Sequence, residues 1–450
     1  MTKKKRRLKK SIKKKLFYGI IGINIAWILL LIGYYSYRMY YYYQLEHKEQ
    51  ADTNNLVDTL TLEKNIVTTG NGLYHDKDSY WYRGKVKNNY VSYSGLLWRI
   101  IGIDENKNIK LVTDEVVTML SHHGTEYKNS DIYKWLNPLT EAHTGNFYQN
   151  LNQNDKMIVD TKLCSDIVKK PNQVTCKKSE TVKVGLLSLS DYDKSGGKNS
   201  YLNQGTSFYT NSMDSSKNVW VIQNDGTVAS VEVSNTGNGV RPVITLSANT
   251  ILYQGTGTKE EPYQIESITK TQLKDTNIGE YIQYSGGLYR VIGKENENVK
   301  VIGMSQLPSE EVFSDGSVYY DSQNYGTLAY QLNQDYTSYY QNSEWIQPGT
   351  FYTGSYSNTY DSSYLSIYQN KTIANVGLPQ VGDYFIGDIT GIYTLTPASV
   401  EDEMIISIEN GKYYADVVTK EKGIRPVFYL NGSLKITGNG SKEKPYQLGV

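Results

Sequence analysis

The chain has 450 residues and a formal net charge of +1, but the charge is unevenly placed. Met1 to Lys15 carries ten of the 47 basic residues and no acid, which leaves 37 bases against 46 acids beyond it, a net of −9. An acidic body excludes nucleic acid and anionic polymers as general electrostatic partners, and this length exceeds what one hydrophobic core usually holds.

After the basic tail (residues 1–15), Leu16 to Tyr37 runs for 22 residues without a formal charge, and eleven of these are Leu, Ile or Phe. At 1.5 Å rise per residue the run spans roughly 33 Å, enough for a bilayer core. Lys and Arg stay on the cytoplasmic side, so a single-pass transmembrane helix over 16–37 is predicted, with everything after it extracytoplasmic in the cell membrane. Arg38, Tyr40, Tyr41, Tyr42 and Tyr43 follow as headgroup-level contacts to membrane lipid. A cleaved signal would need a shorter apolar core and small residues where Tyr and Arg stand. Gly22 and Ala26 have the small-xxx-small spacing of a weak helix homodimer, with Asn24 between them. Residues 38–70 are charged with scattered Leu and Val, and read as a juxtamembrane stalk.

The remainder is a tandem duplication. Tyr90 to Gly102 aligns without gaps on Tyr281 to Gly293, with eight of thirteen positions identical. Val184 to Tyr192 matches Val376 to Tyr384, Gly239 to Leu246 matches Gly423 to Leu430, and Gly255 to Ile265 matches Gly438 to Leu448. Four matches in one order define two homologous domains, 71–265 and 275–450, joined by a linker at 266–274. A repeat of this length is a domain rather than a solenoid turn. Tyr90 to Gly102 predicts a hairpin with a Ser-Gly turn, Ile109 to Thr113 a third strand, and Val219 to Ile222 with Thr227 to Val233 a hairpin about Asp225-Gly226. Helix is predicted over Ser130 to Asn137, Gln153 to Val159 and part of Thr327 to Asn333. The fold class is therefore α+β, β-rich, in two tandem domains.

These segments, with Leu97-Trp-Arg-Ile-Ile-Gly102, Trp135-Leu-Asn137, Val184-Gly-Leu-Leu187 and Gly239-Val-Arg-Pro-Val243, resemble those of uncharacterised exported, membrane-anchored proteins of low-GC Gram-positive bacteria. A looser likeness is to C-type-lectin-like domains. The resemblance implies an extracytoplasmic domain and no established activity, and it assigns no catalytic residue. The second unit departs from it at Gln331, in place of the Trp, and at Pro379.

Cys164 and Cys176, twelve positions apart outside the membrane, are expected to form a disulfide, with about 3 kcal/mol of loop-closure stabilisation at most. His122 and His123, with His143, read as solvated loop histidines, since adjacent side chains diverge on regular elements. Asp191-x-Asp193-x-Ser195-Gly196 opens like a calcium loop but has Leu202 where the bidentate Glu belongs, so a polar turn is expected. Gly255-x-Gly-Thr-Lys259 reads as a turn, with no helix following it to cradle phosphate. Arg99, Arg241, Arg290 and Arg425 are expected to bond carbonyls or a carboxylate inside each unit. Tyr356, Tyr360, Tyr364 and Tyr368 recur every four positions, and offer either a ligand-stacking face or a wet packing face. No catalytic, metal or cofactor constellation is predicted. The leading expectation is a non-catalytic pair of binding or scaffolding domains, whose partner is a cell-wall glycan or an envelope protein. The second is a wall-active hydrolase whose Asp and Glu carboxylates meet only in space.

Overall fold

The computed structural model describes residues 17, 18, 21, 25, 27–40, 55–138, 146–164, 167–171, 176, 178–235, 238–267, 269–361, 363–410 and 412–449. Residues 27–40 are helical with exposed side chains. Among the described residues no helix is long and apolar enough to cross a membrane. Much of the predicted span, including Gly22, Asn24 and Ala26, lies outside the described residues, as do Tyr41, Tyr42 and Tyr43; Arg38 and Tyr40 end the described helix.

In the first unit the strands are β1 (Gly72–Asp76), β2 (Ser79–Arg83), β3 (Tyr90–Tyr93), β4 (Leu96–Ile103), β5 (Ile109–Thr113), β6 (Thr118–Met119), β7 (Ile158–Val159) and β8 (Thr161–Cys164). They continue with β9 (Ser179–Val182), β10 (Gly185–Leu186), β11 (Phe208–Met213), β12 (Asn218–Ile222), β13 (Val228–Glu232), β14 (Gly239–Val240), β15 (Pro242–Leu246) and β16 (Tyr263–Gln264). The main sheet runs β1-β2-β4-β5-β15-β10, with β3 on β4, β16 on β3 and β7 on β15. A second sheet runs β13-β12-β11-β14-β6, and β8 and β9 form a separate hairpin.

The second unit repeats part of this plan. Its strands are β17 (Tyr281–Tyr284), β18 (Gly287–Glu295), β19 (Asn298–Gly303), β20 (Ile346–Gln347), β21 (Gly349–Tyr352), β22 (Lys371–Ala374) and β23 (Val376–Gly377). Then come β24 (Ile392–Ser399), β25 (Met404–Glu409), β26 (Lys412–Val417), β27 (Val427–Leu430), β28 (Lys435–Thr437) and β29 (Tyr446–Gly449). The main sheet is β20-β27-β19-β18-β17-β29-β28 with β23 on β27, beside the sheet β24-β25-β26 and the hairpin β21–β22. Corresponding registers agree. Thr245 faces Lys110 across β15 and β5 as Tyr429 faces Lys300 across β27 and β19. Closing strands pair in parallel through Tyr263 and Val91, and through Tyr446 and Ile282. Both segments read as repeats are thus β-rich, with strands in corresponding registers.

Local chemistry explains the shared elements. Ser94 (φ 55°) and Gly95 (φ 76°) turn β3 into β4, as Ser285 (φ 48°) and Gly286 (φ 80°) turn β17 into β18. Two successive positive φ values are what a two-residue type I′ hairpin turn requires. The helix Asp131–Leu136 starts on a Ser130 cap, and Asn137 just beyond it exchanges both amide bonds with the Val184 backbone, at 2.8 and 2.9 Å. Asn333 does the same with Val376, at 2.8 and 3.0 Å. The amide, rather than the Trp that Gln331 replaces, is therefore the shared part of the Trp-Leu-Asn motif. Near Gln153, the helix is confined to Asn154–Met157 and gives way to β7.

The arginines are structural in both units. Arg99 bonds Asn89, Asp114 and the Val86 carbonyl, with its guanidinium 3.8 Å from the Tyr90 ring centroid. Arg241 bonds the carbonyls of Thr113 and Leu202. Arg290 donates to the Gly279 carbonyl and Arg425 to that of Met304.

Within the segment read as stalk, the helix Leu56–Leu60 buries Leu56, Val57 and Leu60 against the first unit, and Leu56 N–H bonds the Thr250 carbonyl. The two units also pack on each other. Trp135 and Tyr384 rings lie 4.9 Å apart, Phe385 N–H donates to the Val117 carbonyl at 2.6 Å, and Thr118 Oγ1 donates to the Asp383 carbonyl at 2.8 Å.

Candidate functional site

Three elements of the first unit enclose a cleft of about 470 Å³. Its back is the bulge in β4, where the register with β5 slips between Ile100 and Gly102. A Cβ at Gly102 would stand 2.5 Å from the Tyr80 carbonyl oxygen, so only glycine lets β2 close onto β4 there. That approach pairs Trp81 with Gly102 and sets its indole at the mouth, half-buried, with Tyr74 stacked beside it at 6.0 Å. The Lys194 ammonium lies 6.0 Å from the indole centroid.

On the floor Lys110 and Asp191 form an ion pair at 3.0 Å, with 23% and 18% of their side chains accessible. Asp191 comes from the helix Leu189–Lys194, where it completes a capping box with Ser188. Desolvation works to raise the Asp191 carboxyl, but the Lys110 charge and the Ser188 hydrogen bonds outweigh it and hold it below its ordinary value. It stays anionic at neutral pH. This places the first residue of the calcium-like stretch in a helix cap and ion pair, and among the described residues no group of His, Cys, Asp and Glu converges as a metal would require.

The third wall is the hairpin β8–β9, which contributes Lys162, Leu163 and Ser179. Cys164 and Cys176 are disulfide-bonded across its end, with Cα atoms 5.4 Å apart, and both line the cleft. Asp160, just before β8, pairs with Lys183 at 2.8 Å.

The second unit carries the same ion pair at the corresponding place. Lys300 and Asp383 meet at 3.0 Å, but only 8% of each side chain is accessible.

The tyrosine series does not form one face. Tyr356 is 36% exposed and meets Tyr319 edge-on. Tyr360 and Tyr368 pack against the core, and the Tyr364 side chain lies outside the described residues. The expectation of solvated histidines needs correction at His122, which is fully buried with no partner for Nε2 among the described residues; His123 is exposed, and His143 is not described. Burial pushes the His122 imidazole down to about 4. Between the units, Arg290 holds Glu115 at 3.0 Å and Asp388 at 3.4 Å. Desolvation and then the Glu115 charge push Asp388 up to about 6, although 45% of its side chain is open to water, which tempers the first cause.

Sequence reading missed Trp81, Lys110 and Asp191 as one site because three separate elements bring them together. A signal was present: a Lys and an Asp recur in both repeats, as Lys110 with Lys300 and Asp191 with Asp383. Comparison with known proteins gives no match, whether with family models, curated proteins or solved structures.

Proposed function

We propose that this is a single-pass, membrane-anchored protein with extracytoplasmic domains, which binds a saccharide of the cell envelope in the first-unit cleft without transforming it. The observation that carries the reading is the cleft's composition: a half-buried indole facing a partly accessible Lys110–Asp191 pair. An indole offers a flat apolar face to the C–H side of a sugar ring. The ammonium and carboxylate offer a donor and an acceptor to neighbouring hydroxyls, the few placed polar groups that orient a ligand. Lys110, Lys162 and Lys194 nearly balance Asp104, Glu105, Asp160 and Asp191 along the lining, which favours a neutral ring over a polyanion. The acid on the floor is held anionic, which suits binding better than proton donation to a glycosidic oxygen.

The membrane anchor rests on the basic tail followed by an uncharged, apolar run, and the Cys164–Cys176 bridge accords with an oxidising exterior. Protease shaving of wall-stripped cells checks it: the domains should be digested from outside. For the cleft, titration of the full chain in nanodiscs with soluble wall saccharides should show binding that Trp81→Ala reduces by at least about tenfold, as loss of a stacked aromatic worth roughly 1.5 kcal/mol implies. Release of soluble fragments, abolished by Asp191→Asn, would establish hydrolysis instead.

A further inference from the structure

The two units share the Lys–Asp pair, yet one pair is open and the other sealed, and the chain shows what makes the difference. Across the strand from Lys110 stands Thr245; across from Lys300 stands Tyr429. Tyr429 is 5% exposed, lies 5.6 Å from the Phe351 ring and donates its hydroxyl to the Thr350 carbonyl at 2.9 Å. Phe351 in turn comes within 5.7 Å of the Lys300 ammonium. Glu295 accepts from both Thr350 N–H and its hydroxyl, at 3.0 and 2.7 Å, and ties the hairpin β21–β22 down over the pair.

In the first unit each of these parts is altered. Leu163 replaces Phe351 against the matching glycine, Gly185 in place of Gly377. Asp104, the counterpart of Glu295, turns back to accept from Asn106 and Asn108 N–H at 2.9 and 2.8 Å, so it does not reach the hairpin. Thr245 meets Thr161 hydroxyl to hydroxyl at 3.0 Å, and it lines the open cleft. The second unit also needs a glycine for its plug: a Cβ at Gly349 would stand 2.0 Å from the Tyr429 ring, and Thr161 occupies the matching position.

We infer that the residue facing the site lysine across the strand is the gate of this domain type, open as Thr245 and shut as Tyr429. Each chain therefore offers one ligand site, in the first unit. The inference deepens the saccharide reading and rests on it for ligand identity alone; the open and shut states stand apart from any ligand. Among the described residues of the second unit no strand pairs with β18 as β2 does with β4, so none there supplies the aromatic wall that Trp81 provides.

The test uses the full chain in detergent micelles and acetic anhydride as a small amine probe, read by peptide mass spectrometry. Lys110 is expected to acetylate at least about tenfold faster than Lys300, because the sealed pair reacts only through local opening. Thr161→Gly with Thr245→Tyr, the combination that the second unit already accommodates, should slow Lys110 to the Lys300 rate and abolish saccharide binding. Tyr429→Thr should speed Lys300 toward the Lys110 rate, and it decides the matter if the paired variant does not fold. Equal rates in the unmodified chain, or no change in either variant, would overturn the gate; so would two bound saccharides per chain. If no saccharide binds at all, the functional reading falls while the acetylation rates still decide the gate.

Discussion

His122 shows at the residue scale how burial turns an ordinary side chain into an acid sensor of the fold. Its imidazole has an ordinary value of 6.5 and about 4 in the folded chain, so between these values the unfolded chain holds a proton that the native one refuses. Stability is then lost as pH falls from about 6.5 towards 4, by roughly 3 kcal/mol over the whole window. We expect His122→Asn, which keeps an acceptor for the Gly124 N–H, to flatten that part of the profile; melting temperatures of both forms from pH 7 to 4 measure it. A buried arginine makes the opposite case. Arg99→Lys keeps the charge but loses the fork shared by Asn89, Asp114 and Val86, and should cost about 3 kcal/mol, read as a lower urea midpoint at unchanged slope. The structural role of Arg99 was legible because an arginine inside an apolar strand must find partners. The burial of His122 was not, because a polar loop sequence carries no sign of what packs over it.

At the scale of elements, the corresponding hairpins are held by different means. β21–β22 is anchored by the Glu295, Thr350 and Tyr429 side chains, whereas β8–β9 is closed by the disulfide. Cys164→Ser with Cys176→Ser should therefore cost up to about 3 kcal/mol. We expect it to show first as faster amide exchange in β8 and β9, with β21 and β22 unchanged; uniform acceleration across both hairpins would contradict this. Strand hairpins with Ser-Gly or Asp-Gly turns were readable because alternation and turn chemistry are local. The helix Leu189–Lys194 was not foreseen. Its six residues carry too little periodicity, and the stretch from Asp191, the N3 partner of the Ser188 cap, reads as a polar turn. The cleft was illegible for a related reason: its residues sit on separate strands, and no local pattern records which strands become neighbours.

At the scale of the whole molecule, the segment that supplies Asp191 to the open cleft has its counterpart, around Asp383 and Tyr384, buried against the first unit. The segment that carries Asp383 is thus also part of the second unit's mating surface. We expect one cooperative unfolding transition for the pair, and expect Tyr384→Ala to split it into two by calorimetry, since removing a buried aromatic costs about 3 to 5 kcal/mol. The unit that keeps its opening is also the one that follows the amino-terminal helix. Only fourteen residues separate Tyr40, the last described residue of that helix, from Asn55, the next described residue. A chain that short can stretch no further than about 50 Å. With the helix seated in the bilayer as proposed, that reach keeps the mouth of the cleft beside the lipid, so whatever it grips must lie in, or be threaded down to, that shallow layer.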